Sequence, residues 1–184
     1  MENLTNYFLI ATPLLHETYW AERVIYICQH SAVDGAMGMV INQPSTDITF
    51  NEVATELDIK PLQQNQPLIL MGGPVESHRG FVLHDDGYHH DATLDLAPNV
   101  HLTATLDIVE KIANGTAPLN FNFCLGYAGW DAGQLEEEIA ENNWLMLKAC
   151  PDILYQTPAT KRYQACLDQL GVDSARMSAV SGHA

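Results

Sequence analysis

The sequence predicts an α+β fold built on a mixed sheet, and three observations carry that prediction. Short runs of aliphatic, β-branched and aromatic residues, which are typical of strands, recur along the chain. Segments with the spacing of amphipathic helices lie between them. The two kinds of segment do not alternate strictly, as they would in a parallel α/β protein. With 184 residues, 47% of them hydrophobic, the chain is expected to form one domain over 1–184.

Eight segments are predicted as strands because β-favouring residues fill them and Gly, Pro or Asp residues bound them. Two of these segments, 23–30 and 36–43, are apolar almost throughout, as expected of strands covered on both faces. The SAVDG sequence at 31–35 is predicted to join these two as a hairpin. The eight predicted strands are 6–11, 23–30, 36–43, 67–75 (ending in a Gly-Gly-Pro turn), 79–85, 88–96, 119–125 and 144–149.

Four segments are predicted as helices. The first has apolar residues at 50, 53, 54 and 57, which is helical spacing. The other three follow residues that favour N-caps and precede residues that tolerate the left-handed end of a helix. The predicted helices cover 49–57, 106–114 (N-cap Thr105, stop Gly115), 132–141 (N-cap Asp131, with Gln134 as in a capping box) and 158–170 (N-cap Thr157, stop Gly171).

The Asp86-Gly87 dipeptide is the strongest turn signal and predicts a two-residue hairpin between the strands on either side. In that register His84 lies opposite His89, about 5 Å away at Cβ, and Asp91 shares their face. Two imidazoles and a carboxylate at such distances could hold a metal ion. Exposed hairpin histidines are the favoured interpretation, because the cluster lacks the ligand spacing of zinc motifs. We therefore expect no metal site and retain His84 and His89 as the candidate pair.

Residues 124–147, CLGYAGWDAGQLEEEIAENNWLML, combine three glycines with an acidic helix and allow two interpretations. A glycine-rich loop before a helix N-terminus can bind an anion. Here Asp131 already supplies a negative group, and no basic residue stands between Lys111 and Lys148. A strand-to-helix corner is therefore favoured, with Trp130 as a wall of the core and the glutamates of the helix as a solvated face.

The sequence MGGPVESHRG at 71–80 contains a serine next to a histidine, which raises the question of a hydrolase. Adjacent side chains in an extended segment point apart, so Ser77 and His78 do not form a nucleophile–base pair, and the G-x-S-x-G motif is missing. Turn formation is the favoured role of the glycines. Arg79 is one of only eight basic residues, so we expect it to pair with a carboxylate or to face a ligand.

The four cysteines show no CxxC motif and no zinc-type spacing. Cys28 and His30 share one face of a strand, which would suit a catalytic dyad, but the apolar run VIYIC indicates an inert thiol. The N-terminal run is predicted as a strand rather than a signal peptide, and no stretch approaches the ~18 apolar residues of a membrane span. A reduced, cytoplasmic protein without a membrane segment is expected.

The charge balance of the chain argues against polyanionic partners. Eight Lys and Arg residues stand against 23 Asp and Glu residues, which gives a formal net charge of −15. Such a chain repels nucleic acids and anionic membrane surfaces. Direct binding to nucleic acid is therefore not expected.

Several long motifs of this chain resemble the YqgE/AlgH family of bacterial proteins. FLIATPLL, VIYICQHSAVDGAMGMVINQP, MGGPV with RGFVLH, LGYAGWDAGQLEEEIAENNWL, and the terminal LGVD and SGHA occur in the expected order across nearly the whole chain. The resemblance implies a single α+β domain with a bifurcated mixed sheet surrounded by helices. It implies no catalytic residues, and the AlgH name carries a label of transcriptional regulator of alginate synthesis.

Three classes of function are compatible with the sequence. A non-catalytic binding or regulatory protein that acts through a protein partner or a small ligand is favoured, because no catalytic group emerges. An enzyme with a site near the GGP and RGFVLH motifs and a transcriptional regulator are the alternatives. No cofactor is expected, and the oligomeric state is not predicted. The residues expected to line a cleft belong to motifs far apart in sequence: Gly72, Gly73, Arg79, His84, Gly126 and Trp130.

Overall fold

The structure is a computed structural model that describes residues 3–62 and 67–172. The chain falls into two compact units, one formed by 1–43 with 128–184 and the other by 44–127. The terminal SGHA motif, the last residue of LGVD and Arg176 lie outside the described residues. Every helix in the described ranges is too short or too polar to span a lipid bilayer.

Strands and helices intermingle along the chain, which confirms the α+β class. The nine strands of the described residues are β1 (Tyr7–Ala11), β2 (Val24–Ser31), β3 (Gly35–Val40), β4 (Ile69–Met71), β5 (Val75–His84), β6 (Leu94–Ala97), β7 (Val100–Thr103), β8 (Phe121–Trp130) and β9 (Trp144–Lys148). The α-helices there are α1 (Phe50–Glu56), α2 (Leu106–Ala113), α3 (Gln134–Ala140) and α4 (Arg162–Leu170). Short 3-10 helices at Pro13–Leu15 and Ala159–Lys161 and a π-helix at Asp152–Gln156 complete the set.

The unit of residues 1–43 and 128–184 is built on antiparallel strands. Strand β2 lies between β1 and β3, β9 pairs with the free side of β1, and the last three residues of β8 pair with β3. The predicted hairpin at 31–35 is confirmed by the pairing of Ser31 with Gly35. Three tryptophans pack together in the core, and Glu138 accepts hydrogen bonds from the indole N–H groups of Trp130 (2.9 Å) and Trp144 (2.8 Å).

The unit of residues 44–127 contains the parallel pair that makes the sheet mixed. Its strands follow the order β6-β7-β5-β8, and β4 pairs with the other side of β8 in parallel, with Ile69 opposite Phe123. Phe123 and Leu125 point to the same face of β8 because they are two residues apart. Both belong to a buried cluster with residues of α1 and α2, so the two helices cover that face.

The predicted hairpin at Asp86-Gly87 is wrong. Strand β5 ends at His84, which lies opposite His101 on β7 and opposite Phe121 on β8. Both edges of β5 are therefore occupied, and no edge is left for the residues that follow the turn. Strand β6 begins only at Leu94 and pairs with β7. The register that placed His84 opposite His89 does not exist.

The helix starts differ from one another in how their backbone N–H groups are satisfied. Thr49 and Glu52 form a complete capping box at α1. Thr105 precedes α2 as predicted, but its side chain makes no capping hydrogen bond. The predicted N-cap Asp131 is wrong, because β8 continues to Trp130 and Gly133, at φ +83°, occupies the N-cap of α3.

The C-terminal helix is shorter than predicted. Helix α4 begins at Arg162, because a π-helix and a 3-10 helix take up the preceding residues. Thr157 is not its N-cap, since the Thr157 hydroxyl donates to the carbonyl of Asp152 at 3.0 Å. The predicted stop is confirmed, because Gly171 closes α4 in the left-handed conformation at φ +68°.

Threonine-to-valine substitutions at the two N-caps should have different effects on stability. Thr49→Val removes a capping hydroxyl and should lower the free energy of unfolding by about 1 kcal/mol. Thr105→Val removes a buried hydroxyl oxygen that lacks a hydrogen-bond partner among the described residues, so stability should stay unchanged or rise by up to about 1 kcal/mol. Urea unfolding followed by circular dichroism measures both. Equal losses at the two positions would contradict the assignment.

Candidate functional site

The unit of residues 44–127 contains a cleft of about 840 Å³. Helix α1, the start of α2 and the first half of β5 surround it, and the buried side chains of Val109, Phe123 and Leu125 contribute apolar lining. This volume lies in the usual range of small-ligand sites, about 300–1,000 Å³. The remaining lining residues are Asp47, Ile48, Glu52, Val53, Glu56, Leu57, Glu76, Ser77, His78, Arg79, Gly80, Ala104, Thr105 and Leu106.

A bulge in β5 supplies one side of the cleft. Val75 lies opposite Tyr127 and Gly80 lies opposite Leu125, so the four residues 76–79 face the single residue Gly126 on β8. Extra residues in one strand bend it and redirect its side chains, and bulges of this kind are frequent near functional sites. All four residues of this bulge line the cleft.

Two charged side chains of the bulge pair with each other. Arg79 donates from Nη1 to Oε2 of Glu76 at 2.9 Å, and its guanidinium lies 5.1 Å from the ring centroid of Phe81. Arg79 therefore pairs with a carboxylate, as expected from the sequence. The backbone of Glu76 has φ +47°, a conformation that costs free energy for a residue with a side chain. Such strain concentrates at functional sites in proteins.

The glycines selected from the sequence shape this bulge rather than line the cleft. A Cβ atom on Gly126, which has φ +70°, would lie 2.8 Å from the carbonyl oxygen of Val75 and 3.0 Å from Cα of Ser77, and closer still to the carbonyl oxygen of Gly73. A Cβ atom on Gly72 would overlap the carbonyl oxygen of Gly126. Gly72, Gly73 and Gly126 contact one another through their backbones, and none of the three lines the cleft.

The charged residues around the cleft are mostly acidic. In the part of the chain that the structure describes, four carboxylates line it, those of Asp47, Glu52, Glu56 and Glu76, against the single guanidinium of Arg79. The Glu52 carboxylate accepts hydrogen bonds from the hydroxyl and the N–H of Thr49, and these bonds lower its pKa. The carboxylate is therefore ionised at neutral pH, and the cleft has negative potential.

Sequence reasoning missed the acidic and hydroxyl residues of the cleft. The signal for Glu52 and Glu56 was their spacing of four in a predicted helix, which places them on one face of α1. Thr105 was recognised only as an N-cap. Ser77 and His78 both line the cleft, but among the described residues no hydrogen bond joins the Ser77 hydroxyl to an imidazole.

His84 lies in a buried polar chain and does not line the cleft. Its side chain is fully buried, Nδ1 donates to the carbonyl of Asp85 at 2.8 Å, and Nε2 accepts from the hydroxyl of Thr103 at 2.9 Å. The Thr103 hydroxyl oxygen in turn accepts from Thr93 at 2.7 Å. Burial lowers the pKa of His84, and the neighbouring His101 lowers it further, so His84 is neutral at neutral pH.

His101, the actual cross-strand neighbour of His84, lies between two carboxylates. Nε2 lies 2.6 Å from Asp86 and Nδ1 lies 2.7 Å from Asp95. Burial alone lowers the pKa of His101, but the hydrogen bonds and charges of Asp86 and Asp95 outweigh burial and raise it. His89 is exposed, and no hydrogen bond within the described residues joins it to His84 or His101. Across the residues with described positions, no group of three or more His, Cys, Asp or Glu side chains is arranged to hold a metal ion.

Trp130 and the Cys28–His30 pair belong to the other unit. Trp130 is buried in the core of that unit, as predicted, and does not line the cleft. Cys28 is buried, and both ring nitrogens of His30 bond to other groups, Nδ1 to the N–H of Leu4 and Nε2 to Glu136 at 3.1 Å. These contacts favour the inert thiol. They also correct the prediction of a wholly solvated glutamate face on α3, because Glu136 bonds to His30 and Glu138 to two indoles.

Comparison with known proteins identifies the family. The sequence model of the AlgH-like family, DUF179, matches residues 8–175. The chain belongs to the AlgH-like family. The UPF0301 protein of Saccharophagus degradans is 46% identical over 99% of this chain and 89% of its own length. A UPF0301 protein of Burkholderia vietnamiensis is 44% identical over 99% of this chain and 96% of its own.

Two solved structures share the fold. The solution structure of the AlgH protein from Pseudomonas aeruginosa superposes with a TM-score of 0.81 at 39% identity, covering 100% of this chain and 97% of that one. A crystal structure from Corynebacterium diphtheriae superposes with a TM-score of 0.75 at 20% identity, covering 97% and 93%. The AlgH-like fold of this chain is thus shared with a protein that retains only one residue in five.

Alanine at Gly126 should be far more damaging than alanine at a glycine in open space. Gly126→Ala combines a left-handed backbone with overlap against Val75 and Ser77, and we expect a loss of about 3 kcal/mol in the free energy of unfolding. Gly133 has φ +83°, but no atom lies within 4 Å of the position that a Cβ would take, so Gly133→Ala should cost only about 1–2 kcal/mol. Urea unfolding followed by circular dichroism compares them. Equal losses would show that overlap at Gly126 contributes nothing.

The interaction of His101 with its two carboxylates should stabilise the protein mainly at lower pH. The pKa of His101 is raised on folding, so its contribution is fully present below the unfolded value of about 6.5 and is lost as the pH rises through the raised pKa. The stability difference between the unmodified protein and His101→Gln should therefore be larger at about pH 6 than at about pH 9. Urea unfolding at both pH values measures it, and a difference that grows with pH would contradict the assignment.

Proposed function

We propose that this AlgH-like protein is a cytoplasmic, non-catalytic binding protein that regulates through a protein partner or a small ligand held in the cleft of the 44–127 unit. The cleft itself carries the proposal. Its volume of about 840 Å³ and its apolar lining of Val109, Phe123 and Leu125 are typical of sites that bury a ligand or an anchoring side chain.

The chemistry of the lining residues favours binding over catalysis. A hydrolytic site needs a nucleophile within hydrogen-bond reach of a base, and Ser77 makes no such bond among the described residues. The hydrogen bonds from Thr49 lower the pKa of Glu52, so this carboxylate is ionised rather than poised as a proton donor at neutral pH. An enzyme with a site at the bulge between the GGP and RGFVLH motifs is the second candidate, because that bulge lines the cleft.

The cleft is tested by blocking it without changing charge. Leu106 lines the cleft and is 48% exposed, so Leu106→Trp should fill the opening. Leu119→Trp is the matched control, because Leu119 is 90% exposed and does not line the cleft. Immobilised proteins are exposed to a bacterial extract, and the retained proteins and small molecules are identified by mass spectrometry. We expect species retained by the unmodified protein and by Leu119→Trp but not by Leu106→Trp. Identical retention by all three would contradict the proposal.

Regulation by direct DNA binding is not part of the proposal. Electrostatic affinity for DNA comes from Lys and Arg residues that neutralise phosphates, and the chain has eight of these against 23 acidic residues. Fluorescence anisotropy with a labelled duplex at about 50 mM salt, where electrostatic binding is strong, should show no binding. Micromolar affinity that weakens steeply towards about 200 mM salt would favour the DNA-binding regulator instead.

A further inference from the structure

The carboxylates around the cleft outnumber the cationic groups that line it among the described residues. Among the described residues that line it, Arg79 is the single Lys or Arg, and it already pairs with Glu76. The carboxylate of Glu56 has no hydrogen bond or ion pair among the described residues. Asp47 accepts from the Thr46 hydroxyl at 3.0 Å, which is a neutral donor that leaves the charge in place. A positively charged occupant could therefore form ion pairs with carboxylates that have no cationic partner among the described residues.

The pair that Arg79 makes with Glu76 does not close the cleft against a second cation. Both side chains are about half exposed, at 55% and 46%. Ion pairs at that exposure add little to stability, because water screens them and both side chains lose freedom. A cation from outside can therefore share Glu76 or replace Arg79 beside it at small cost.

Apolar side chains at the opening give the cleft more apolar surface than a simple cation would cover. Leu57 and Leu106 line the cleft and are 43% and 48% exposed, next to the buried Phe123 and Leu125. A small polyamine or metal ion would leave both leucines in water. A peptide segment would cover them with its own apolar side chains while its basic side chains reach the carboxylates.

We infer, on the basis of the proposed function, that the occupant of the cleft is a segment of a partner protein in which an apolar side chain is flanked by lysine or arginine. The apolar side chain packs on Val109, Phe123 and Leu125, and the flanking cations pair with Asp47 and Glu56. Asp47 and Glu56 both line the cleft that takes the apolar side chain, so a single segment can reach both.

A short labelled peptide of alternating leucine and lysine tests the inference by fluorescence anisotropy. Two matched peptides carry glutamine or glutamate in place of lysine. We expect the lysine peptide to bind most tightly, the glutamate peptide least tightly, and the affinity of the lysine peptide to fall as salt rises from about 0.05 to about 0.2 M. Leu106→Trp should abolish binding of the lysine peptide, although its net charge is unchanged.

Charge variants then locate the lysine contacts. The double variant Asp47→Asn with Glu56→Gln should bind the lysine peptide about five- to tenfold more weakly, as expected for the loss of two partly exposed ion pairs. The control, Asp91→Asn with Glu110→Gln, removes the same charge from exposed residues that do not line the cleft, and it should bind normally. The inference would be overturned if both double variants weakened binding of the lysine peptide equally. It would also be overturned if Leu106→Trp bound the peptide as well as the unmodified protein does. Either result would mean that binding depends only on the overall charge of the protein.

The outcomes separate this inference from the proposed function. If the three peptides bind equally and Leu106→Trp weakens all of them, the cleft is a binding site but its preference for a basic segment is wrong. If Leu106→Trp changes neither the binding of any peptide nor the retention of species from the bacterial extract, the proposed function itself fails.

Discussion

The close approach of two backbones at Gly72 and Gly126 is the constraint on which the cleft depends. Strand β8 has β4 on one side and β5 on the other. At Gly126 the neighbouring backbone lies closer to β8 than a Cβ atom would allow. With no Cβ in the way, β8 can take a left-handed residue there, and four residues of β5 are accommodated opposite one. The bulge that results turns Glu76 and Arg79 towards α1 and α2 instead of leaving them in a regular ladder.

The parts of the fold that follow from local chemistry were predictable from the sequence. The β2–β3 hairpin, helices α1 and α2 and the left-handed end of α4 depend on residues within a few positions of one another. The failures depend on distant pairing. Asp86-Gly87 is a strong turn signal, but β7 and β8 occupy both edges of β5 and leave its neighbours no partner. Asp131 is a good N-cap by type, yet pairing with β3 keeps β8 extended to Trp130.

Of the residues predicted for the site, Arg79 lines the cleft and the glycines only shape its bulge, whereas the acids of the cleft were not predicted. Gly72, Gly126 and Arg79 were selected because their residue types are unusual in their context, and the structure brings them to one bulge. Asp47, Glu52 and Glu56 are ordinary surface residues of an acidic chain, and the spacing of Glu52 and Glu56 shows only that they share a helix face, not that this face borders a cleft. Only the packing of α1 over β8 assigns them to the cleft. Trp130 was selected for the same reason as the glycines, and it serves the core of the other unit.

The arrangement of the tryptophans has a spectroscopic consequence. All three, Trp20, Trp130 and Trp144, belong to the unit of 1–43 and 128–184, where their rings pack together and two indoles share Glu138. The unit with the cleft contains none. Tryptophan emission therefore originates in only one of the two units unless an indole is introduced into the other. A loss of the shared carboxylate would alter the tryptophan emission spectrum of the first unit, whereas the second unit contributes no tryptophan emission.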